Sequence, residues 1–356
     1  SRTRPNACRG TVRPGRFFHM ASWLHDIPKV ELHVHLDGSL RRETVRELVE
    51  QLPADRQFPS GFDPLEAAVP SERGTLESYL RSFDVTIRVL QDAASLERVA
   101  RELCEDAAAE NIIYIEIRFA PLLHTEAGLK PRDVVAAVLS GMRQAQVDSS
   151  IRSGLILTAL KQETTERSME VAQLAAQFSG KGVVGFDLAG PERLYPPVLH
   201  RAAIDFVHAA GVHMTVHAGE ACCPEQIREA IDLGAERIGH GVHLFEDPAT
   251  ETRVRELGIP LEVCPSSNLQ TTPFMKTLAD HPLKRYVDLG IPISINTDNR
   301  LMSETHLTRE YELLSDAFSF DRNVVRRILL DSAKAGFCDQ VEKAAIESQI
   351  EAAFST

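Results

Sequence analysis

Two histidines stand two residues apart in Glu31-Leu32-His33-Val34-His35-Leu36-Asp37-Gly38. On a β-strand that spacing puts both imidazoles on one face. A half-buried strand could carry the same pair for packing alone, and so could one that binds a metal. A third histidine, His217, lies in Thr215-Val216-His217-Ala218-Gly219-Glu220, where a glycine turn brings in a carboxylate that could also serve as an ordinary helix start. A fourth, His240, sits between Gly239 and Gly241, which let the backbone come close to a ligand. Asp298 follows the apolar run Ile293-Ser294-Ile295, and an acid there could equally cap the next helix. Taken together, His33, His35, His217 and Asp298 offer three nitrogen donors and one oxygen donor of the kind zinc prefers, leaving room for water. The expectation is one zinc ion per chain.

Something must hold these residues together, and the chain supplies a candidate scaffold. Eight β-branched runs recur at Val30–His35, Ile112–Phe119, Gly154–Leu160, Val183–Leu188, His213–His217, Arg237–His240, Pro260–Cys264 and Pro292–Asn296. Between them lie helical patterns such as Arg42–Gln51, Ser95–Glu110, Arg132–Gln146, Glu166–Gln177 and Pro197–Ala210. The alternation is that of parallel βα units. A doubly wound open sheet is the rival. Polar residues at the ends of well-separated strands converge more easily in a closed sheet, so the pattern predicts a (β/α)8 TIM barrel with its site at the C-terminal strand ends. Pro53–Arg73, rich in Pro, Gly and acids, is the longest irregular stretch and reads as an insertion after the first strand. Leu76, Tyr79, Leu80 and Phe83 then fall at i, i+3, i+4, i+7 on one helix face, a stripe that could face either the core or a ligand.

Composition narrows the classes. The chain has 356 residues, 43% hydrophobic and 25% charged, with no long uninterrupted apolar run, so neither a membrane span nor a secretory leader is expected. A cytoplasmic home follows by default. The net charge of −12 argues against a nucleic-acid surface. Six cysteines, Cys8, Cys104, Cys222, Cys223, Cys264 and Cys338, lack any C-x-x-C spacing and read as reduced thiols serving packing. Residues 1–20 carry five arginines and no acid, and are expected to form a disordered basic extension before a folded unit over residues 21–356.

From Ile27 to the C-terminus the chain resembles the adenosine deaminase family of the amidohydrolase superfamily. The resemblance is carried by Lys29–Gly38, Gly185-Phe186-Asp187-Leu188-Ala189-Gly190, Val216–Glu220, Gly239–His243, Glu262-Val263-Cys264-Pro265-Ser266-Ser267-Asn268 and Asn296–Asp298. It implies zinc held by His33, His35, His217 and Asp298, and Glu220 as the acid that protonates the purine ring. It further implies that His240 orients and helps deprotonate the attacking water, with Asp298 accepting a hydrogen bond from it. Asp37 and His35 would contact the nucleoside, Gly190 would donate to the ring, and Leu76, Tyr79, Leu80 and Phe83 would form an apolar lid helix. The implied activity is hydrolytic deamination of adenosine and 2′-deoxyadenosine, a step in purine metabolism. Many relatives carry a second acid after the ligand aspartate, where this chain has Asn299; an amide N–H can donate to a purine nitrogen without first being protonated. Other 6-aminopurines, including adenine and N6-methyl-AMP, stay as alternatives, as does a non-catalytic binding role. A 5′-phosphate would call for a basic cluster, for which Arg41, Arg42 and Arg81 are the nearest candidates. Zinc deaminases of the P-C-x-x-C type are excluded, because that cysteine pair is absent.

Overall fold

The computed structural model describes residues 21–70 and 74–355, so the expectation for residues 1–20 lies outside the described residues. Eight strands run in chain order around one sheet: β1 Lys29–His35, β2 Ile112–Phe119, β3 Arg152–Leu160, β4 Val183–Ala189, β5 His213–Ala218, β6 Arg237–His240, β7 Leu261–Val263 and β8 Ile293–Ile295. Every neighbouring pair is parallel. Helices such as Pro131–Ser149, Thr165–Phe178 and Arg201–Ala209 cross from each strand to the next. The result is a (β/α)8 barrel.

Closure decides between a barrel and an open sheet, and it is made largely by polar groups. Val34 bridges Asp298 in parallel pairing. The His35 N–H donates to the Asp298 carbonyl at 2.7 Å and the Asp298 N–H to the His33 carbonyl at 3.0 Å. Beside them the Asn296 side-chain oxygen accepts from the N–H groups of Leu32 at 2.7 Å and His33 at 3.1 Å. An amide side chain thus stands in for ladder bonds that the short β8 cannot supply.

The strands alternate. Val30, Leu32 and Val34 on β1, with Ile115 and Ile117 on β2, form one buried apolar set, as expected where helices cover the sheet. Glu31, His33 and His35 take the other face of β1, and Glu116 and Arg118 that of β2. The side chains of His33, Arg118 and Glu262 meet there, so the barrel interior is a buried charged layer. Among the described residues no helix is long and apolar enough to cross a membrane.

Three expectations are corrected. Pro53–Arg73 is not wholly irregular: it holds the single turn Ala54–Arg56 and the helix Pro64–Ala68, which Asp63 caps through the N–H groups of Leu65 and Glu66; residues 71–73 lie outside the described residues. The lid is not one helix. Leu76–Leu80, with a Thr75–Ser78 capping box, ends at Arg81, and Phe83–Val89 begins a second helix; between them the ladder tightens to three-residue spacing, with the Ser82 N–H on the Tyr79 carbonyl at 3.0 Å and the Asp84 N–H on the Arg81 carbonyl at 3.2 Å. Cys222 and Cys223 are joined as a vicinal disulfide rather than held as thiols, because residue 223 takes a left-handed backbone that brings adjacent side chains together. Cys104, Cys264 and Cys338 are free and buried.

Replacing Asn296 by alanine should leave two buried N–H groups of β1 without an acceptor and destabilise the protein by about 2–4 kcal/mol. A lowered denaturant midpoint would show this; an unchanged midpoint would mean that the barrel closes without the Asn296 amide.

Candidate functional site

His35 and His240 are the last residues of β1 and β6, His217 lies one residue from the end of β5, and Asp298 lies three residues beyond β8. All four therefore reach the C-terminal mouth of the barrel. His33 sits one layer deeper on β1, on the face it shares with His35. His240 and Asp298 have φ of +67° and +61°, the left-handed region that costs a residue with a Cβ. Such backbone persists where surrounding contacts over-determine it, most often at functional sites.

The donors sit at ligand spacing. His35 Nε2 lies 3.2 Å from His217 Nε2, and Asp298 Oδ1 lies 3.4 Å from both His33 Nε2 and His35 Nε2. Four ligands held tetrahedrally at zinc's bond lengths are separated by about 3.3–3.4 Å. His33 Nε2 is buried without a hydrogen-bond partner, a polar atom that a cation would satisfy.

Hydrogen bonds behind the rings decide which nitrogens are free. His33 Nδ1 meets Glu262 Oε2 at 2.8 Å and His217 Nδ1 meets Asp187 Oδ1 at 3.0 Å. Facing a carboxylate, each Nδ1 carries the proton, and Nε2 keeps its lone pair for a metal. His240 also comes within 4.8 Å of His33, His217 and Asp298, so distance alone admits it as a donor. Its Nδ1, however, faces Asn268 Nδ2 at 2.9 Å. The orientation of that amide follows from its other end: Asn268 Oδ1 receives the Cys264 N–H and His281 Nε2, while His281 Nδ1 accepts from the Leu283 N–H. His240 Nδ1 is then an acceptor and its proton sits on Nε2, where it cannot ligate. His33, His35, His217 and Asp298 are the set that can hold a metal.

Charge follows burial. His240 is held well below the usual histidine range by burial and by His33, and burial brings His35 down to about 3. Burial pushes Asp298 up, but the neighbouring imidazoles outweigh it and keep the carboxyl ionised. Glu220 behaves in the opposite way: burial, then the charges of Asp298 and Glu192, raise its pKa well above the carboxylate range. Glu220 Oε2 lies 3.6 Å from His240 Nε2.

His35, Leu76, Tyr79, Leu80, Phe83, Gly190, His217, Glu220, His240, Asp298 and Asn299 line one inner cavity. An outer chamber of about 250 Å³ shares His35, Leu80, Phe83 and Gly190 with it and adds Asp37, Asp84 and Glu163. Asp37 Oδ1 and Asn299 Oδ1 are buried without partners. Asn299 stands where it does because residue 38 has no side chain: a Cβ there would lie 1.7 Å from Asn299 Oδ1. Gly190, at φ +114°, carries the chain past Gln162 into the cavity wall. The Tyr79 hydroxyl pairs with Ser303 Oγ at 3.0 Å.

The model of the family described as adenosine deaminase matches residues 28–353. An adenosine deaminase of Clostridium perfringens is 40% identical over 330 residues, covering 92% of this chain and 99% of that protein. The chain belongs to the adenosine deaminase family. An Arabidopsis N6-mAMP deaminase structure superposes with a TM-score of 0.85 at 27% identity, covering 93% of this chain and 99% of its own. An amidohydrolase from Burkholderia ambifaria, solved with bound zinc, superposes with a TM-score of 0.82 at 25% identity, covering 97% and 98%. This chain is thus an aminohydrolase of a metal-dependent family.

The sequence motifs assign no role to Glu262, Asp187 and Asn268, which stand behind the histidines. Glu262, Asp187 and Asn268 orient His33, His217 and His240, and Ser267 Oγ donates to Asp298 Oδ2 at 2.5 Å. Arg118, in no motif, donates to Glu262 at 2.8 Å and lies 3.5 Å from Asp187. Two charged residues at alternate positions, Glu116 and Arg118, in an isoleucine-rich strand were the signal available. The unassigned His213 pairs with Glu236 at the base of β5, away from the site.

His33→Ala should release the metal, and Glu262→Gln, which keeps the shape but loses the carboxylate behind His33, should weaken metal affinity about 10–100-fold. Titration of both variants against a chelator with elemental analysis measures this; wild-type affinity in Glu262→Gln would remove the orienting role.

Proposed function

We propose that this family member catalyses the zinc-dependent hydrolytic deamination of adenosine and 2′-deoxyadenosine to inosine and 2′-deoxyinosine, releasing ammonia. One observation carries the reading: Glu220, a buried carboxyl with a strongly raised pKa, shares a cavity with His35, His217 and Asp298, and His33 Nε2 reaches the same Asp298 oxygen from one layer below. His33, His35, His217 and Asp298 would hold the metal. Zinc held there would supply the Lewis acidity that makes water a nucleophile at neutral pH.

The remaining work falls to side chains. Attack at the amino-bearing ring carbon pushes electron density onto the adjacent ring nitrogen, and Glu220, whose pKa is raised by burial, gives its proton there. Asp298, kept ionised, accepts the proton of the attacking water. His240, neutral with its proton on Nε2, orients that oxygen as a donor rather than taking its proton. The proton taken up by Asp298 then passes to the amino group, which leaves as ammonia, while the hydroxyl proton on the same carbon returns to Glu220 and leaves the 6-oxo product. Leu76, Tyr79, Leu80 and Phe83 exclude water, Asn299 faces the purine's five-membered ring, and Gly190 lines the base. Asp37 Oδ1, buried and unpartnered, suits a ribose hydroxyl.

Charge supports a neutral nucleoside over a nucleotide. Among the described residues no lysine or arginine lines either chamber, whereas Asp37, Asp84 and Glu163 line the outer one. Arg41 is bound to Asp106 and Glu105, Arg42 to Glu304, and Arg81 lines a separate cleft. A cytoplasmic setting and a place in purine metabolism belong to the same proposal.

Ammonia release from adenosine and deoxyadenosine should be rapid and chelator-sensitive, with AMP poorer by roughly 100-fold or more in kcat/KM because of the acidic chamber. Preference for AMP or N6-methyl-AMP would overturn the substrate assignment. Glu220→Gln should keep its metal and lose about 100-fold or more in kcat. Because Glu220 must carry its proton, turnover should also fall as pH rises through its elevated pKa, which a pH profile of kcat reads.

A further inference from the structure

The loop that carries Glu220 is gripped by a second carboxylate. Glu192 lies two residues beyond Gly190 and is 2% exposed. Its Oε2 accepts the Gly219 N–H at 2.8 Å, and its Oε1 accepts those of Ala221 at 2.7 Å and Cys222 at 3.0 Å. These amides flank Glu220 on both sides, so one carboxylate holds the backbone on either side of it. A capping role does not account for this, since the following helix, Pro224–Asp232, starts beyond the bonded amides. The Thr272 hydroxyl donates to the Glu220 carbonyl at 3.2 Å and closes the grip from the other side.

Glu192 is itself held. Lys161, the residue after β3, is fully buried; its Nζ lies 4.0 Å from Glu192 Oε2 and donates to the His217 carbonyl at 2.7 Å and to Gln226 Oε1 at 3.1 Å. The Gln226 side chain in turn donates to the Glu192 carbonyl. The loop bearing Glu220 is thereby registered against the strand bearing His217 through a chain of buried polar contacts. A displacement of a reacting group by about 1 Å can lower a rate about 100-fold, so such registration matters to turnover.

We propose that Glu192 is the positioning residue that aims the Glu220 carboxyl at the substrate ring, with Lys161 anchoring it to β5. The inference rests on the reading of Glu220 as the acid. Glu192→Gln keeps size but offers a single acceptor oxygen to three N–H groups; Glu192→Asp keeps both oxygens on a shorter arm. In the zinc-loaded full chain, Glu192→Gln should lower kcat about 10–100-fold while KM for adenosine and zinc content stay near wild type. Glu192→Asp should recover part of the loss. Independently of turnover, hydrogen exchange of the peptide spanning Gly219–Cys222 should quicken in Glu192→Gln. Unchanged exchange, unchanged kcat, or a fall in kcat that tracks lost zinc would each overturn the proposal. A wild-type chain that releases no ammonia from adenosine would overturn the proposed activity instead, and the exchange rates would then decide the inference alone.

Discussion

Arg118 stands between two carboxylates at the centre of the barrel, and the site depends on that contact. Its guanidinium donates to Glu262 and faces Asp187, while those two acids hold the Nδ1 protons of His33 and His217. Arg118, with Arg237 on Glu262 and His217 beside Asp187, keeps both acids ionised, and the two anions turn two imidazoles so that Nε2 faces the mouth. Below them Arg237 joins Glu262 to Glu116 at 2.7 and 2.6 Å, and Thr215 fills the remaining place on Glu262 at 2.9 Å. Taking such charges out of water costs several kcal/mol for each ion, and removing one partner leaves an uncompensated charge. The interior therefore tolerates this layer only as a whole.

That layer explains why the barrel is polar inside yet stable. The apolar faces of the strands are spent on the surrounding helices, and the inward faces carry the network that orients the donors. Closure between β1 and β8 belongs to the same arrangement. The backbone of Asp298 pairs with β1 on either side of Val34, so the seam of the sheet and the oxygen donor are one feature. The positive φ at Asp298 is held by these contacts.

Much of this was legible beforehand, for particular reasons. The H-x-H pair of β1 could be read because a strand's period of two leaves no choice of face. The strands were legible within a residue or two because parallel strands covered by helices are marked by β-branched runs. The lid was read as one helix because its apolar spacing runs unbroken from Leu76 to Phe83, whereas periodicity cannot see a break that leaves the spacing intact. The pairing of Cys222 with Cys223 was missed because it depends on the backbone conformation of residue 223, which the residue types do not reveal.

The amino-acid sequence by itself determined the donor types, their placement at strand ends and the alternation that makes a parallel βα barrel, since these follow from local periodicity and side-chain chemistry. Only the tertiary structure decided which imidazole nitrogens carry protons, and hence that His240 stands apart from the metal donors. It alone raised the pKa of Glu220 and bound the amides around it to Glu192. Those properties arise from burial and from partners tens to hundreds of residues away, and no local pattern in the chain records them.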